Sequence, residues 1–134
     1  MTVKELSQLY WLNREIEMDM ERLRDLEAAA SGPKVQKLEG MPKSPGYGDA
    51  LARTVAEIVD LKAIITAKQQ QCIHERCRLE RYIANIPDSL TRQIFALRFI
   101  NGLNWYQIAM HVGGGNTEDS VRQRVYRYLK STQE

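Results

Sequence analysis

Apolar side chains recur every seven residues along the first part of the chain. Leu9 and Ile16 begin this spacing, and Met20 widens the apolar stripe on one side. Polar and charged residues fill the positions between them, as expected of a helix that buries one face. We therefore predict one uninterrupted amphipathic helix over residues 2–30, with Thr2 as its N-cap.

A second stretch of the chain has the same seven-residue period. Its apolar positions begin at Leu51, and Val55 and Ile73 lie beside the main stripe. This pattern predicts a helix over residues 49–85 with Asp49 as its N-cap. The main stripe of this helix consists of Leu51, Ile58, Ile65, Cys72, Leu79 and Ile86.

The segment that joins the two predicted helices is rich in helix breakers. Residues 31–49 contain three of the four prolines and four of the eight glycines, so we predict a flexible linker there. Two long amphipathic helices are expected to bury their stripes against each other, because neither is stable alone in water. Residues 1–86 are thus predicted to form a long, coiled-coil-like antiparallel helical hairpin that also mediates oligomerisation.

Residues 87–134 have a different pattern, with short amphipathic stretches separated by helix breakers. Pro87 ends the second long helix, and Asp88 or Ser89 is expected to cap the next one. This third helix runs to about Asn101, because a glycine follows and its apolar positions have helical spacing up to that point.

Two further short helices are predicted after that glycine. Asn104 caps a helix over residues 105–111, glycines 113–115 form a turn, and Asn116 or Thr117 starts the last helix. Three short helices with a glycine-bearing turn before the last are typical of the trihelical helix-turn-helix. The whole chain is therefore predicted to be all-α, with this domain at its C-terminal end.

The last predicted helix has two chemically distinct faces. At 100° per residue, Val121 and Val125 share an apolar face with Tyr128 and Leu129. The opposite face is rich in arginine and glutamine, which suit the base edges and phosphates of a DNA major groove. The predicted DNA-binding residues are Asn116, Thr117, Ser120, Arg122, Gln123, Arg124, Arg127 and Lys130.

The charge distribution agrees with this choice of surface. The chain carries 19 basic and 17 acidic side chains, and the whole excess of +2 lies in residues 87–134. Such a small excess predicts weak DNA binding by one copy, and pairing of two copies would raise the affinity.

No apolar run is long enough to cross a bilayer, and the first residues do not form a signal peptide, so we expect a cytoplasmic protein without membrane contact.

Enzymatic or metal chemistry is not expected. Cys72, His74 and Cys77 have a spacing that matches no common zinc site and supply only three ligands. The sequence contains neither a phosphate-binding loop nor a recognisable nucleophile–base pair. We therefore predict a binding protein without a metal or other cofactor.

The C-terminal third resembles domain 4 of sigma-70 family factors, which reads the −35 promoter element. More closely, the overall layout is similar to phage late-gene transcription regulators of the RinA and ArpU type. The resemblance implies that Arg122, Gln123, Arg124 and Arg127 face DNA and that Trp105 packs the second helix of the motif. The matching residues are Arg92, Ile94, Leu97, Arg98, Phe99, Gly102, Leu103, Trp105, Ile108, Ala109, Val121, Arg122, Arg124 and Leu129.

Three functions follow as expectations. The first is a sequence-specific transcription regulator, phage or prophage encoded, that binds promoter double-stranded DNA as a homo-oligomer in the bacterial host cell. The second is a small terminase subunit for DNA packaging, which also combines a helix-turn-helix with helical oligomerisation segments. The third is a helical adaptor that binds host RNA polymerase or another protein through the long helices.

Overall fold

A computed structural model describes residues 1–31 and 45–133, and every regular element within these ranges is helical. The prediction of an all-α fold is therefore confirmed. The helices are α1 (Val3–Leu6), α2 (Gln8–Ser31), α3 (Pro45–Ala84), α4 (Ser89–Phe95), α5 (Trp105–Val112) and α6 (Glu118–Thr132), and Ala96–Ile100 continues α4 as a π-helix.

The first predicted helix is interrupted once. Thr2 caps α1 as predicted, because its Oγ1 accepts a hydrogen bond from the Glu5 N–H at 3.2 Å. The ψ angle of Ser7 is −3°, far from the helical value of about −42°, and this residue separates α1 from α2. The prediction of a continuous helix was thus wrong at Ser7, and α2 ends at Ser31.

The second predicted helix begins earlier than its sequence suggests. Helix α3 starts at Pro45, and Asp49 lies inside the helix, so the predictions of a start and an N-cap at Asp49 were wrong. A proline fits the first helical turn because the N–H that it lacks would have no partner there. The predicted linker therefore loses residues 45–49 to α3, and its residues 32–44 lie outside the described ranges.

The described residues divide into two compact units, which we consider separately. Arg14–Gln70 forms the helix-pair unit, and Met1–Asn13 together with Gln71–Glu134 forms the core unit. The first contains the larger part of α2 and the N-terminal part of α3. The second contains α1, the remaining ends of α2 and α3, and all of α4, α5 and α6.

The helix-pair unit buries one apolar seam. Ile16, Leu61 and Ile65 are its most buried side chains. Lys68 Nζ lies 2.5 Å from an Asp19 carboxylate oxygen and 3.1 Å from a Glu15 carboxylate oxygen. The hydrogen bond to Asp19, followed by the one to Glu15, raises the pKa of the Lys68 ammonium above its ordinary value.

Several apolar side chains that were predicted to widen the stripes are instead exposed. Met20 and Val55 in the helix-pair unit, and Ile73 in the core unit, each expose about half of their surface. Two helices in contact cover only the seam between them, so flanking positions stay accessible. The exposed large apolar side chains of the helix-pair unit are Met18, Met20, Val55, Val59 and Ile64.

The core unit holds a continuous hydrophobic core beneath α4, α5 and α6. The side chains of Ile94, Phe95, Ile108, Val121 and Val125 are fully buried in it. Aromatic rings pack at its centre, with the Phe95 ring centroid 5.5 Å from those of both Phe99 and Tyr128. The core consists of Leu6, Leu9, Leu79, Ile83, Ile86, Ile94, Phe95, Leu97, Phe99, Ile108, Ala109, Val121, Val125 and Leu129.

The short helices of the core unit begin at the predicted caps. Asp88 caps α4 by accepting from the Thr91 N–H at 3.0 Å. Asn104 caps α5, and Gln107 Oε1 accepts a hydrogen bond from the Asn104 N–H at 3.0 Å. Each cap satisfies N–H groups that have no partner within the helix, which fixes where the helix begins.

The third helix has a feature that the sequence did not indicate. Ala96–Ile100 is π-helical, and the Asn101 N–H reaches back five residues to the Ala96 carbonyl at 3.0 Å. Gly102 follows with φ of +73°, a backbone conformation that glycine adopts without strain.

No described helix has a stretch long and apolar enough to cross a membrane.

Candidate nucleic-acid interface

Helix α6 separates an apolar face from a polar face. Val121 and Val125 are fully buried, Leu129 is nearly so, and Tyr128 is half-buried, which confirms the predicted apolar face. Gln123, Arg124, Arg127 and Lys130 are exposed. The core beneath α6 therefore fixes the directions in which its polar side chains extend.

A groove of about 550 Å³ runs along one flank of α6. It brings together five of the eight predicted DNA-binding residues, and Thr117, Arg122 and Lys130 do not line it. Asp88 and Thr91 close the side of the groove at the start of α4. The groove is lined by Asp88, Thr91, Asn116, Ser120, Gln123, Arg124, Arg127, Tyr128 and Ser131.

Asp88 connects the cap of α4 to the polar face of α6. One of its carboxylate oxygens accepts hydrogen bonds from the Thr91 hydroxyl at 2.6 Å and from Arg124 Nη1 at 3.0 Å. The hydrogen bonds from Thr91, with a smaller contribution from Arg124, hold the pKa of Asp88 below its ordinary value. Asp88 therefore stays ionised and restrains the Arg124 guanidinium at one end of the groove.

Arg127 and Gln123 form a second pair in the groove. Arg127 Nη2 donates to Gln123 Oε1 at 3.2 Å, across one turn of α6. Neither Arg127 nor Lys130 forms an ion pair with another described residue. These two cations and the Gln123 amide are the groups of α6 with the most capacity to bind an external ligand.

Three of the predicted site residues stabilise the start of α6. Thr117 Oγ1 accepts from the Ser120 N–H at 3.1 Å, and Ser120 Oγ accepts from the Thr117 N–H at 2.8 Å, which forms a capping box. Asn116 Nδ2 donates to the Gly113 carbonyl at 2.8 Å and so closes the glycine turn. Their polar groups are already used within the chain, although Thr117 and Ser120 remain exposed.

The other flank of α6 carries Arg122, which was predicted, and Tyr126, which was absent from the predicted site. Arg122 pairs with Asp119, one turn earlier in the helix. The Tyr126 ring centroid lies 6.4 Å from that of Trp105 on α5, and the Arg98 guanidinium lies 4.3 Å from the centroid of the Trp105 ring. The helical projection places Tyr126 on the outward face, although it was not chosen as a site residue, whereas its contact with Trp105 depends on tertiary packing.

Two basic residues of the core unit serve the chain itself. Arg92 Nη1 donates to the carbonyls of Ile86 and Pro87 at 2.7 and 3.0 Å, and Arg98 Nη1 donates to the Leu103 carbonyl at 3.1 Å. Both side chains thus stabilise backbone turns and lie outside α6. The basic side chains of α6 itself are Arg122, Arg124, Arg127 and Lys130.

Comparisons with known proteins find no relative of this chain. No protein-family model, curated protein or solved structure matches this chain. The interpretation of the interface accordingly depends on its own residues and geometry.

The cysteine and histidine residues do not form a metal cluster in the described part of the chain. Nowhere in these residues do three or more histidine, cysteine or acidic side chains converge as metal ligands would. Cys72 is half-buried, its Sγ donates weakly to Asn13 Oδ1 at 3.5 Å, and burial raises the pKa of its thiol. Such a thiol is less reactive than an exposed one of ordinary pKa.

Proposed function

We propose that this chain is a DNA-binding protein whose helix α6 enters the major groove of double-stranded DNA. In this proposal α4, α5 and α6 form the trihelical helix-turn-helix, and the glycine turn separates its last two helices. The observation that carries the proposal is the α6 groove, where an exposed Gln123 amide and the Arg124 and Arg127 guanidiniums lie together above a buried apolar face. A rigid helix with such groups is the usual means of reading DNA.

The chemistry of the groove suggests how contacts are divided. Glutamine pairs through two hydrogen bonds with adenine, and arginine pairs in the same way with guanine. Gln123 and Arg127 already lie one turn apart and are joined at 3.2 Å, so they present one combined surface to base edges. Arg124 and Lys130 flank this pair and suit phosphate contacts, which orient a protein on DNA.

We further propose that the protein acts as a homo-oligomer through its long helices, arranged as an antiparallel hairpin. The net charge of residues 87–134 is only +2, so two linked copies would bind DNA much more tightly than one. Exposed apolar side chains on the helix-pair unit support this proposal, with Val59 at 60% and Met18 at 70% exposure. The same exposed side chains also favour the adaptor hypothesis, in which they bind another protein such as host RNA polymerase.

The biological role that we propose is regulation of transcription by a phage or prophage protein in the cytoplasm of a bacterial host. This part of the proposal depends on the sequence resemblance to sigma-70 domain 4 and to the RinA and ArpU type of regulator. Without an enzymatic site in the proposal, the protein would act by binding alone.

Replacement of the α6 arginines tests the DNA-binding proposal. DNA sites are first selected from a random duplex pool with the wild-type protein, and the affinity of each variant for the selected site is then measured. The triple variant Arg122→Ala, Arg124→Ala, Arg127→Ala is expected to lose at least about tenfold in affinity, because it removes both phosphate and base contacts. The single variants Gln123→Ala and Arg127→Ala are each expected to cost about 1–3 kcal/mol on the selected site.

A matched control shows whether a loss of affinity is specific to the interface or follows from removing positive charge anywhere on the protein. The variant Arg22→Ala, Arg24→Ala, Arg53→Ala removes the same number of exposed arginines from the helix-pair unit. We expect this control to bind the selected site within about twofold of the wild type at moderate salt, because its charges lie off the interface. Equal affinities of the two triple variants would refute the proposed interface.

A further inference from the structure

Tyr126 lies on the flank of α6 away from the groove. Its side chain is 48% exposed, and its ring packs against Trp105 of α5 with a centroid separation of 6.4 Å and an interplanar angle of 53°. The other tyrosine near the C-terminal end of α6, Tyr128, is half-buried against Phe95 instead. Tyr126 is therefore the aromatic residue that α6 presents on its outer surface.

The Arg98 guanidinium restrains the Trp105 ring, against which Tyr126 packs. The Arg98 guanidinium lies 4.3 Å from the Trp105 ring centroid, which is cation–π distance, and its Nη1 also donates to the Leu103 carbonyl at 3.1 Å. Arg98 is thereby held by two interactions and in turn limits the movement of Trp105. Arg98 and Tyr126 thus both pack against the Trp105 ring.

The position of Tyr126 on the helix determines what it can contact. It lies four residues from both Arg122 and Lys130, so a basic side chain adjoins it on each side along α6. Relative to Gln123, which lies at the centre of the outer face, Tyr126 is rotated by about 60° at 100° per residue. A helix in the major groove directs central side chains to base edges and flanking side chains to the sugar–phosphate walls.

We propose that Tyr126 is a phosphate-binding residue, whose hydroxyl donates a hydrogen bond to the DNA backbone, and that Trp105 and Arg98 are its positioning residues. This inference rests on the proposed function and extends it to the second flank of α6. Tyrosine hydroxyls are common phosphate donors in protein–DNA complexes. A ring that is already packed loses little conformational entropy on binding, which makes this contact more effective than one from a free side chain.

The Tyr126→Phe variant tests this inference with little risk to folding, because the ring and its contact with Trp105 are retained. Affinity for a fluorescein-labelled duplex of random sequence is measured by anisotropy at about 50 and about 200 mM NaCl. We expect Tyr126→Phe to bind about tenfold more weakly at both salt concentrations, because a neutral hydrogen-bond donor to a charged phosphate is lost. The salt dependence itself is expected to match that of the wild type, since no charge has changed.

Three further variants test whether the effect is specific to Tyr126 and its contact with Trp105. Tyr10→Phe removes the hydroxyl of another part-exposed tyrosine, on α2, and is expected to bind like the wild type. Trp105→Ala is expected to weaken binding to a similar degree as Tyr126→Phe, and Trp105→Phe is expected to restore it by supplying a new platform. Rescue by an aromatic side chain distinguishes positioning of Tyr126 from a contact made by the indole N–H.

The possible outcomes separate the two proposals. Absence of DNA binding by the wild-type protein at the lower salt concentration would refute the proposed function and this inference with it. Wild-type binding together with an unchanged Tyr126→Phe variant would refute the inference alone. A loss confined to one selected DNA sequence, with random DNA unaffected, would also overturn it, because that result indicates a base contact.

Discussion

The arginine side chains of the core unit differ in what holds them. Arg92 and Arg98 donate to backbone carbonyls, and Arg124 pairs with the Asp88 carboxylate at 3.0 Å. Arg127 donates to the neutral Gln123 amide and forms no ion pair with another described residue. The same residue type therefore stabilises turns at some positions and remains available for a ligand at others.

Asp88 provides a prediction about pH. Its pKa is lowered in the folded protein, so the stability that its charge supplies is complete above the ordinary carboxyl value of 3.8 and is lost as pH falls below that value. Asp88→Asn retains capping ability but lacks the charge that pairs with Arg124. We expect the wild type to have the higher Tm at pH 7, and the difference to disappear as Asp88 is protonated.

Thermal melts of both proteins from pH 7 down to pH 2.5, that is to about one unit below the ordinary carboxyl value, would measure this difference. A difference in Tm that stays constant over the whole range would show that the Asp88 charge does not stabilise the fold.

At the level of the elements, the signals that act locally could be predicted from the sequence. Thr2, Asp88, Asn104 and Thr117 were each among the expected caps, because a cap needs only a side-chain oxygen and N–H groups two or three residues later. The apolar face of α6 was equally accessible, since it follows from helical spacing. These local rules also gave the all-α fold.

Features that depend on the rest of the fold could not be predicted. The Ser7 interruption and the π-helical Ala96–Ile100 are changes of backbone geometry that no residue type specifies. The Asp88–Arg124 pair joins residues 36 apart in sequence, and the Trp105–Tyr126 contact joins two helices. Five residues that line the groove were therefore among the predicted site residues, but the partners that restrain them were not predicted.

The glycine turn before α6 gives a prediction about stability. Gly113 has φ of +61° and ψ of −144°, a region that is nearly exclusive to glycine. Gly113→Ala is therefore expected to lower the free energy of unfolding by about 1–3 kcal/mol. Chemical denaturation measures this change directly.

Gly48→Ala is the matched control for that variant. Gly48 lies within α3, and a Cβ there would meet no atom within 4 Å. Alanine is favoured over glycine in a helix, so this variant is expected to be more stable by about 0.5–1 kcal/mol. Similar effects of the two substitutions would contradict the conformation described for the turn.

At the scale of the whole molecule, the helix-pair unit and the core unit divide the proposed tasks. The helix-pair unit has few buried side chains and exposes Val55 and Val59, whereas the core unit has a continuous core and carries α6. The proposed oligomer would link two or more such cores. Association through exposed apolar residues also predicts sensitivity to a charge placed among them.

The variant Val59→Glu tests this association. Val59 is 60% exposed, so the substitution leaves the buried seam intact, but a carboxylate would be desolvated in an interface between copies. We expect the wild type to have the solution mass of a dimer or tetramer and Val59→Glu to have that of a monomer. A wild-type monomer would contradict self-association, and a large closed ring would favour the packaging function.

Binding of double-stranded DNA by α6 is best measured in a salt-dependent titration of the wild-type protein. Binding to labelled random and selected duplexes is measured at about 50 and about 200 mM NaCl, with the solution mass determined alongside. We expect tighter binding to the selected duplex and a marked loss of affinity at the higher salt concentration. Absence of binding to either duplex at the lower salt concentration would contradict DNA binding by α6.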